Sequence, residues 1–307
     1  MSPMNDKTSV QFGAPHPGLL KVLLAVALAA PVTGIAAMPN FVHRGWGIEW
    51  PENSIVALRR CWEAGQIPEA DARITSDGVI FAIHDPPRGM SYSDFDKKPW
   101  SFYKALDAGD GKGARWKGTP LPTWDEIFAE MAGHPERRIL LDIKTQTPQQ
   151  MYELARKHGV ERQVICLANG TSVTKAWRKL VPGAKGMVGL HPKYWAHAFL
   201  EGEQAAESNA RVAATFDKLE ADGFDGADIV SFTIRVDLAR EEPFCPPTAF
   251  LRDRVARLHA AKRIAVAWIW TQDDREESYH RLRKLGFDCF GTDHPEVMLR
   301  ALGRPVP

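Results

Sequence analysis

The chain has 307 residues, of which 44% are hydrophobic and 25% are charged, and its formal net charge at pH 7 is +1. This length suffices for one large α/β barrel or two smaller domains, and the composition is that of an ordinary globular protein. Because the net charge is close to zero, no overall field favours nucleic acid or an anionic membrane, so a charged substrate must be bound by local charges.

Near the N-terminus, residues 22–37 form an apolar run of small residues that follows Lys21 and contains Pro31 and Gly34. The run is shorter than the roughly 20 residues that a membrane-spanning helix needs, so no stable membrane span is expected. Its composition predicts a signal or targeting segment over residues 1–37, and therefore a periplasmic or secreted protein. The alternative is an apolar helix that covers one end of the domain.

After this segment, short apolar runs alternate with longer amphipathic stretches, which predicts a single barrel domain over residues 38–303. The apolar runs predict eight β-strands, at residues 40–43, 67–71, 139–144, 163–168, 186–190, 228–232, 264–270 and 288–292. Helical patterns lie between most of them, at residues 54–64, 124–132, 148–158, 172–180, 250–261 and 274–285. This alternation predicts an α/β fold, a (β/α)8 TIM barrel, whose site lies at the C-terminal ends of the strands.

One more strand-like run, residues 79–84, interrupts the alternation after the second strand. An Asp-Gly pair precedes it, and this pair favours a tight hairpin turn. Pairing counted from the turn sets Asp71 opposite Ile83 and His84. Since Glu69 and Asp71 are two residues apart, they share one face of their strand. The sequence therefore predicts an extra β-hairpin that brings Glu69, Asp71 and His84 into one neighbourhood.

The cysteines give no sign of a metal site, because their spacing along the chain is too wide for a zinc motif. They are Cys61, Cys166, Cys245 and Cys289. Buried free thiols are the expected state, while export would also allow a disulfide.

Charged and proton-transferring side chains gather at the predicted strand ends. They are two histidines, three carboxylates, one arginine and one lysine: His43, Arg44, Glu69, Asp71, His84, Asp142 and Lys144. Carboxylates can hold a hard divalent cation, basic side chains can hold phosphate oxygens, and histidines can transfer protons near neutral pH. This set predicts metal-assisted cleavage of a phosphate ester.

The same residues belong to motifs that follow one another in a defined order. The motifs are HRG at 43–45, PENS at 51–54, EADARITSDGVIFAIHD at 69–85, ALDAGDGKGARWKGTPLPTWDEIF at 105–128, ILLDIK at 139–144, AVAWIWT at 265–271 and FGTDHPEVML at 290–299. Over residues 39–300 this order resembles the glycerophosphodiester phosphodiesterase family. Members of that family are metal-dependent barrel hydrolases that split glycerophosphodiesters into glycerol 3-phosphate and an alcohol.

The resemblance implies a role for five of these residues. The family's metal ligands fall on Glu69, Asp71 and Asp142, and they would hold one divalent cation, Mg²⁺ or Ca²⁺. The family's proton-transferring residues fall on His43 and His84, which would act through a cyclic phosphate. The implied partner is a small-molecule glycerophosphodiester, and no nucleic acid is expected.

The resemblance also places the two basic residues beside the substrate phosphate. Arg44 falls on a phosphate contact, and Lys144 falls near the phosphate. The planar guanidinium of arginine can hold two phosphate oxygens, whereas the lysine ammonium acts as a point charge.

Two roles remain open for each of four further residues. Glu52 and Asn53 either cap the helix that begins near residue 54 or orient the metal site. Trp270 either lines the pocket or packs in the barrel core. Asp293 either orients a site residue or caps the last helix.

Two alternative functions remain open. The family most often has Glu at position 142, whereas the related spider-venom phospholipase D enzymes have Asp-x-Lys here, which makes lysophospholipids or sphingomyelin-type lipids alternative substrates. Those enzymes typically lack the HRG and PEN motifs of this chain. The other alternative is a barrel that binds phosphoryl ligands without catalysis, and the complete set of histidines and carboxylates argues against it.

Overall fold

The predicted strands and helices form in a computed structural model that describes residues 38–195, 197–270 and 274–307. The segment predicted to serve as a targeting signal, residues 1–37, lies outside the described residues. In chain order the strands are β1 (Phe41–Val42), β2 (Ile67–Ile74), β3 (Ile80–Ala82), β4 (Ile139–Ile143), β5 (Val164–Ala168), β6 (Gly186–Leu190), β7 (Ile229–Val236), β8 (Phe244–Cys245), β9 (Ile264–Ile269) and β10 (Cys289–Thr292). Within these ranges, no helix combines the length and apolarity that a membrane crossing requires.

Eight of the strands close into a parallel barrel. Around the barrel their order is β1, β10, β9, β7, β6, β5, β4 and β2, and β2 pairs back with β1. The (β/α)8 fold predicted from the sequence is therefore confirmed.

The other two strands are short antiparallel additions. β3 folds back on β2 with Ala72 opposite Ala82, so the same register sets Asp71 opposite Ile83, as the turn position predicts. β8 pairs with the end of β7, where Arg235 lies opposite Cys245. The sequence patterns did not predict β8.

Helices surround the barrel between most strands. They are α1 (Ile55–Glu63), α2 (Trp100–Tyr103), α3 (Trp124–Met131), α4 (Pro148–Lys157), α5 (Thr171–Leu180), α6 (Gly202–Ala221), α7 (Thr248–Ala260), α8 (Glu276–Lys284) and α9 (Pro295–Ala301). Side-chain caps define where three of them begin. Ser54 accepts from the backbone of Ala57 at the start of α1, and capping boxes at Thr123 and Thr147 open α3 and α4.

The barrel interior is apolar at its N-terminal end and charged at its C-terminal end. One buried cluster takes at least one residue from each barrel strand: Phe41, Ile67, Leu140, Ile165, Met187, Ile229, Ile264, Val266, Trp268 and Cys289. Because strand side chains alternate, the residues two and four positions after Ile67 share its face, and they are Glu69 and Asp71. The apolar layer therefore forms the floor beneath a set of acids. All four cysteines are buried free thiols.

Gly291 on β10 has no side chain, and this leaves space for the large Trp268 side chain in the apolar layer. A Cβ added at Gly291 would lie 2.2 Å from a ring carbon of Trp268. We expect Gly291→Ala to lower the free energy of unfolding by about 1–3 kcal/mol, since overpacking forces neighbouring side chains to shift. Urea denaturation measures this loss. Gly170→Ala, whose added Cβ meets no atom within 4 Å, is the matched control. Equal losses in both variants would contradict the packing account.

Candidate active site

A cavity of about 650 Å³ opens at the C-terminal ends of the barrel strands. Its walls include nine of the sequence-predicted site residues: His43, Arg44, Glu52, Glu69, Asp71, His84, Asp142, Lys144 and Trp270. Residues that are up to 227 positions apart in the chain are thus brought into one pocket, as the barrel topology requires.

Three acids meet on two neighbouring strands. Glu69 and Asp71 lie on β2, and Asp142 lies on β4 directly opposite Asp71 in the parallel ladder. One carboxylate oxygen from each lies within 4.8 Å of the others. Their strand positions point all three into the barrel. This cluster supplies hard oxygen ligands of the kind that Mg²⁺ and Ca²⁺ prefer.

The acids differ in how their charge is balanced. Burial and the neighbouring charge of Asp71 raise the pKa of Glu69 to about 8. Burial also raises the pKa of Asp142. For Asp71, the positive charges of Lys144, His84 and Arg44 outweigh the effect of burial and lower the pKa. The Lys144 ammonium lies 3.1 Å from Asp71 and 2.7 Å from Asp142, so it neutralises part of the cluster.

His43 is held between a carboxylate and two indole rings. It follows β1, and its Nδ1 lies 2.6 Å from Oδ1 of Asp293, the residue just after β10. The rings of Trp268 and Trp270 meet it edge-on, each at a centroid distance of 5.8 Å. Burial alone would lower the pKa of His43, but the Asp293 carboxylate outweighs it and raises the pKa. Asp293 therefore contacts a site residue, while His294 occupies the position before α9.

Removing the charge of Asp293 tests its effect on His43. In Asp293→Asn we expect the pKa of His43 to fall, because the carboxylate that stabilises the imidazolium is lost. We expect kcat/KM to fall about 10- to 100-fold, as for other residues that orient site histidines. NMR titration of the imidazole and the pH profile of kcat/KM measure both effects. Asp222→Asn, a change at an exposed position, is the control. An unchanged His43 titration would contradict the assigned contact.

His84 has a carboxylate neighbour of its own. It lies two residues beyond β3, and its Nδ1 is 2.8 Å from Oδ1 of Asp85. The backbone oxygen of His84 accepts a 3.2 Å hydrogen bond from Nε of Arg73. The pKa of Asp85 is lowered, with the His84 contact as the largest cause. Both candidate proton-transferring histidines thus sit beside an aspartate.

The segment between β1 and α1 links the phosphate-binding candidate to the acids. Arg44 and Asn53 both adopt left-handed backbone conformations, with φ of 51° and 58°. The backbone N–H of Arg44 donates to Oε2 of Glu69 at 2.9 Å, and its Nη1 donates to Glu52 at 2.6 Å. Asn53 exchanges two 3.0 Å hydrogen bonds with Asp71, one to its side chain and one from its backbone. Asn53 therefore orients an acid, and the helix cap is Ser54.

Several residues that line or support this pocket were not predicted from the sequence, among them Lys112 and His191. Lys112 lies 3.3 Å from Oε1 of Glu52 and donates to the backbone oxygen of Ile48. His191 lies just beyond β6 and lines the cavity. Lys112 lies within the motif at 105–128, where no pattern distinguishes it from other basic residues, and His191 lies outside every motif.

The sequence model described as the glycerophosphoryl diester phosphodiesterase family matches residues 43–297. The chain belongs to this family. It is 35% identical over 107 residues to a glycerophosphodiester phosphodiesterase of Caldanaerobacter subterraneus, a match that covers 34% of this chain and 44% of the relative. It is 33% identical over 118 residues to the human glycerophosphoinositol inositolphosphodiesterase GDPD2, covering 33% of this chain and 21% of the relative. In these matches the chain spans less than half the length of the curated relatives.

Solved structures of family members share the barrel. The structure of a glycerophosphodiester phosphodiesterase homologue from Galdieria sulphuraria superposes with a TM-score of 0.63 at 20% identity, covering 88% of this chain and 100% of that one. A phosphodiesterase of Oleispira antarctica, in complex with the product sn-glycerol-3-phosphate, gives a TM-score of 0.63 at 18% identity. This match covers 87% of the present chain and 97% of the Oleispira chain. At these identities the likeness shows the fold.

Proposed function

We propose that this family member hydrolyses glycerophosphodiesters to glycerol 3-phosphate and an alcohol with the help of one divalent cation. The main observation behind the proposal is the cluster of Glu69, Asp71 and Asp142 within 4.8 Å, in one cavity with His43 and His84. Family membership and the product-bound Oleispira structure support the substrate class.

The acid cluster suits a hard cation. Each acid keeps carboxylate oxygen capacity beyond its hydrogen bonds to Arg44, Asn53 and Lys144. Buried carboxylates without enough positive charge are costly, and the raised pKa of Glu69 reflects this. A Mg²⁺ or Ca²⁺ ion bound here would supply charge that offsets the negative charge growing on the phosphoryl oxygens.

Two basic side chains provide contacts for the phosphate. Nε of Arg44 is buried, and in the described part of the chain it has no hydrogen-bond partner, although the rest of the guanidinium is held by Glu52. Arg44 lines the cavity, where its guanidinium can hold a phosphate oxygen. The Lys144 ammonium lies beside the acid cluster and would contact the same group from the β4 side.

Proton transfer falls to the two histidines. One histidine removes the proton of the free glycerol hydroxyl, whose oxygen then attacks phosphorus, and the other protonates the leaving alcohol. A cyclic phosphate results. In the second step water attacks phosphorus, the ring ester bond breaks, and the histidines exchange roles to release glycerol 3-phosphate. The Asp293 carboxylate beside His43 orients that ring and stabilises its charged form, and the Asp85 carboxylate lies 2.8 Å from Nδ1 of His84.

Cleavage of lysophospholipids is the second candidate, and the cavity rim favours it. Ile48 is 48% exposed and Trp195 is 53% exposed, and both line the cavity. Apolar side chains at a cavity mouth can contact an acyl chain. The same attack on phosphorus would then yield a lipid cyclic phosphate.

Product analysis separates the candidates. Glycerophosphocholine, glycerophosphoethanolamine, glycerophosphoinositol and lysophosphatidylcholine are incubated with the protein, with and without Mg²⁺ or Ca²⁺, and phosphorus NMR identifies the products. The proposal expects metal-dependent release of glycerol 3-phosphate from at least one of the three glycerophosphodiesters. A lipid cyclic phosphate as the main product would favour the second candidate. Binding of phosphoryl ligands without turnover would contradict both.

A further inference from the structure

Besides His43 and His84, His191 and His197 line the cavity, and neither has a part in the proton transfers described above. His191 follows β6, and its imidazole lies over Gly189, where an added Cβ would come within 2.3 Å of Nε2. Its Nδ1 lies 3.1 Å from Oγ1 of Thr233 on β7, and its ring packs against Trp195 at a centroid distance of 4.8 Å. Three contacts on three segments therefore set the direction of the ring.

The second ring nitrogen of His191 is available to a ligand. Nδ1 is bonded to Thr233, whereas Nε2 has no hydrogen-bond partner in residues 38–195, 197–270 and 274–307. Burial and the nearby charge of Lys144 lower the pKa of His191 to about 4, so the ring is neutral at pH 7. A neutral imidazole offers one donor and one acceptor. Because the Thr233 hydroxyl can donate or accept, Nε2 can also serve in either role.

The wall that carries His191 is polar but uncharged. In the barrel order, β6 lies opposite β1, which leads to His43 and Arg44, and β7 lies opposite β2, which carries Glu69 and Asp71. The side chains that line the cavity from this wall include Asn169, Ser231 and Thr233. Uncharged donors and acceptors match hydroxyl groups, whereas the phosphate is matched by Arg44 and Lys144. The cavity thus has a charged wall and an uncharged polar wall.

We propose that His191 is a specificity-determining residue whose Nε2 hydrogen-bonds a free hydroxyl of the glycerol moiety of the substrate. This inference rests on the proposed function. Glycerol is the part that all glycerophosphodiesters share, and a ring held by fixed contacts suits an invariant group better than a variable leaving alcohol. A substrate that lacks this hydroxyl leaves Nε2 unpaired and loses affinity.

Calorimetric binding of two phosphate monoesters tests the assignment independently of turnover. With saturating Ca²⁺, wild-type protein is titrated with sn-glycerol 3-phosphate, which carries hydroxyls, and with methyl phosphate, which carries none. The variant His191→Phe keeps an aromatic ring over Gly189. We expect it to raise the Kd of glycerol 3-phosphate about 3- to 10-fold, because one neutral hydrogen bond is lost. The Kd of methyl phosphate should change less than about twofold, because this ligand has no carbon-bound hydroxyl for His191 to contact.

Two further variants separate a binding role from a structural one. His191→Gln keeps a neutral donor and acceptor and should restore part of the preference for glycerol 3-phosphate. Thr233→Val removes the partner of Nδ1 and should weaken the preference without removing Nε2. Melting temperatures close to that of the wild type establish that each variant folds.

The outcomes distinguish this inference from the proposed function. Equal losses for both ligands in His191→Phe, or a wild-type protein with no preference for glycerol 3-phosphate, would overturn the role of His191. Retained preference in a protein that cleaves no glycerophosphodiester would overturn the proposed function and leave the hydroxyl contact standing.

Discussion

Replacing His43 with alanine is expected to lower kcat by at least about 10²-fold, the usual contribution of a general acid or base. The same loss is expected for His84→Ala. Both rings line the cavity, and each lies beside an aspartate, Asp293 for His43 and Asp85 for His84. Steady-state kinetics on a glycerophosphodiester with saturating divalent cation measure the effect.

The two histidines should also act as a unit. Because proton removal and proton donation belong to one reaction step, the double variant should be about as slow as the slower single variant. His134→Ala is the matched control, since His134 is an exposed histidine that does not line the cavity. Near-normal turnover in His43→Ala or His84→Ala would remove that residue from the mechanism.

Removing divalent cations should have an equally large effect. Excess chelator is expected to reduce turnover to background, and added Mg²⁺ or Ca²⁺ should restore it. Asp142→Asn should weaken the apparent cation affinity at least about tenfold, because affinity at such sites follows the charge of the ligands. Glu136→Gln changes an exposed glutamate outside the cavity and is the control. Full activity in excess chelator would contradict a role for the metal.

Cation binding should also depend on pH. The pKa of Glu69 is raised to about 8, so this carboxyl is protonated at pH 6 and a cation must displace the proton. The apparent affinity is therefore expected to rise with pH by up to about tenfold per unit between pH 6 and 8. Calorimetry at several pH values measures this slope, and Glu69→Gln should flatten it. An affinity that does not change over this interval would contradict the displacement of a proton from Glu69 by the cation.

The sequence was sufficient to predict the barrel because strands buried on both faces are short continuous apolar runs. Predicted and observed strands agree to within a few residues, and the hairpin register followed from the position of one Asp-Gly turn. Besides the short elements α2 and β8, the patterns did not predict α6, a helix of 20 residues. It buries only four side chains, Ser208, Val212, Phe216 and Leu219, so its apolar stripe is thin.

The contacts within the site were harder to predict from the sequence, because many of them join residues that are distant along the chain. The bond between His43 and Asp293 links positions 250 residues apart, and no local pattern distinguishes it from a helix cap. The role of Asn53 depends on a left-handed backbone that brings its amide to Asp71. His191 lies outside every motif and enters the cavity only because Gly189 leaves space for its ring.

Glu69, Asp71 and Asp142 are proposed to hold a single cation. A crystal grown with Mn²⁺, which shares the oxygen preference of Mg²⁺ and scatters anomalously, would reveal where the ion binds. We expect one anomalous peak at roughly 2.0–2.6 Å from an oxygen of each of the three acids. A peak elsewhere in the barrel, or none at this cluster under saturating Mn²⁺, would contradict the proposal.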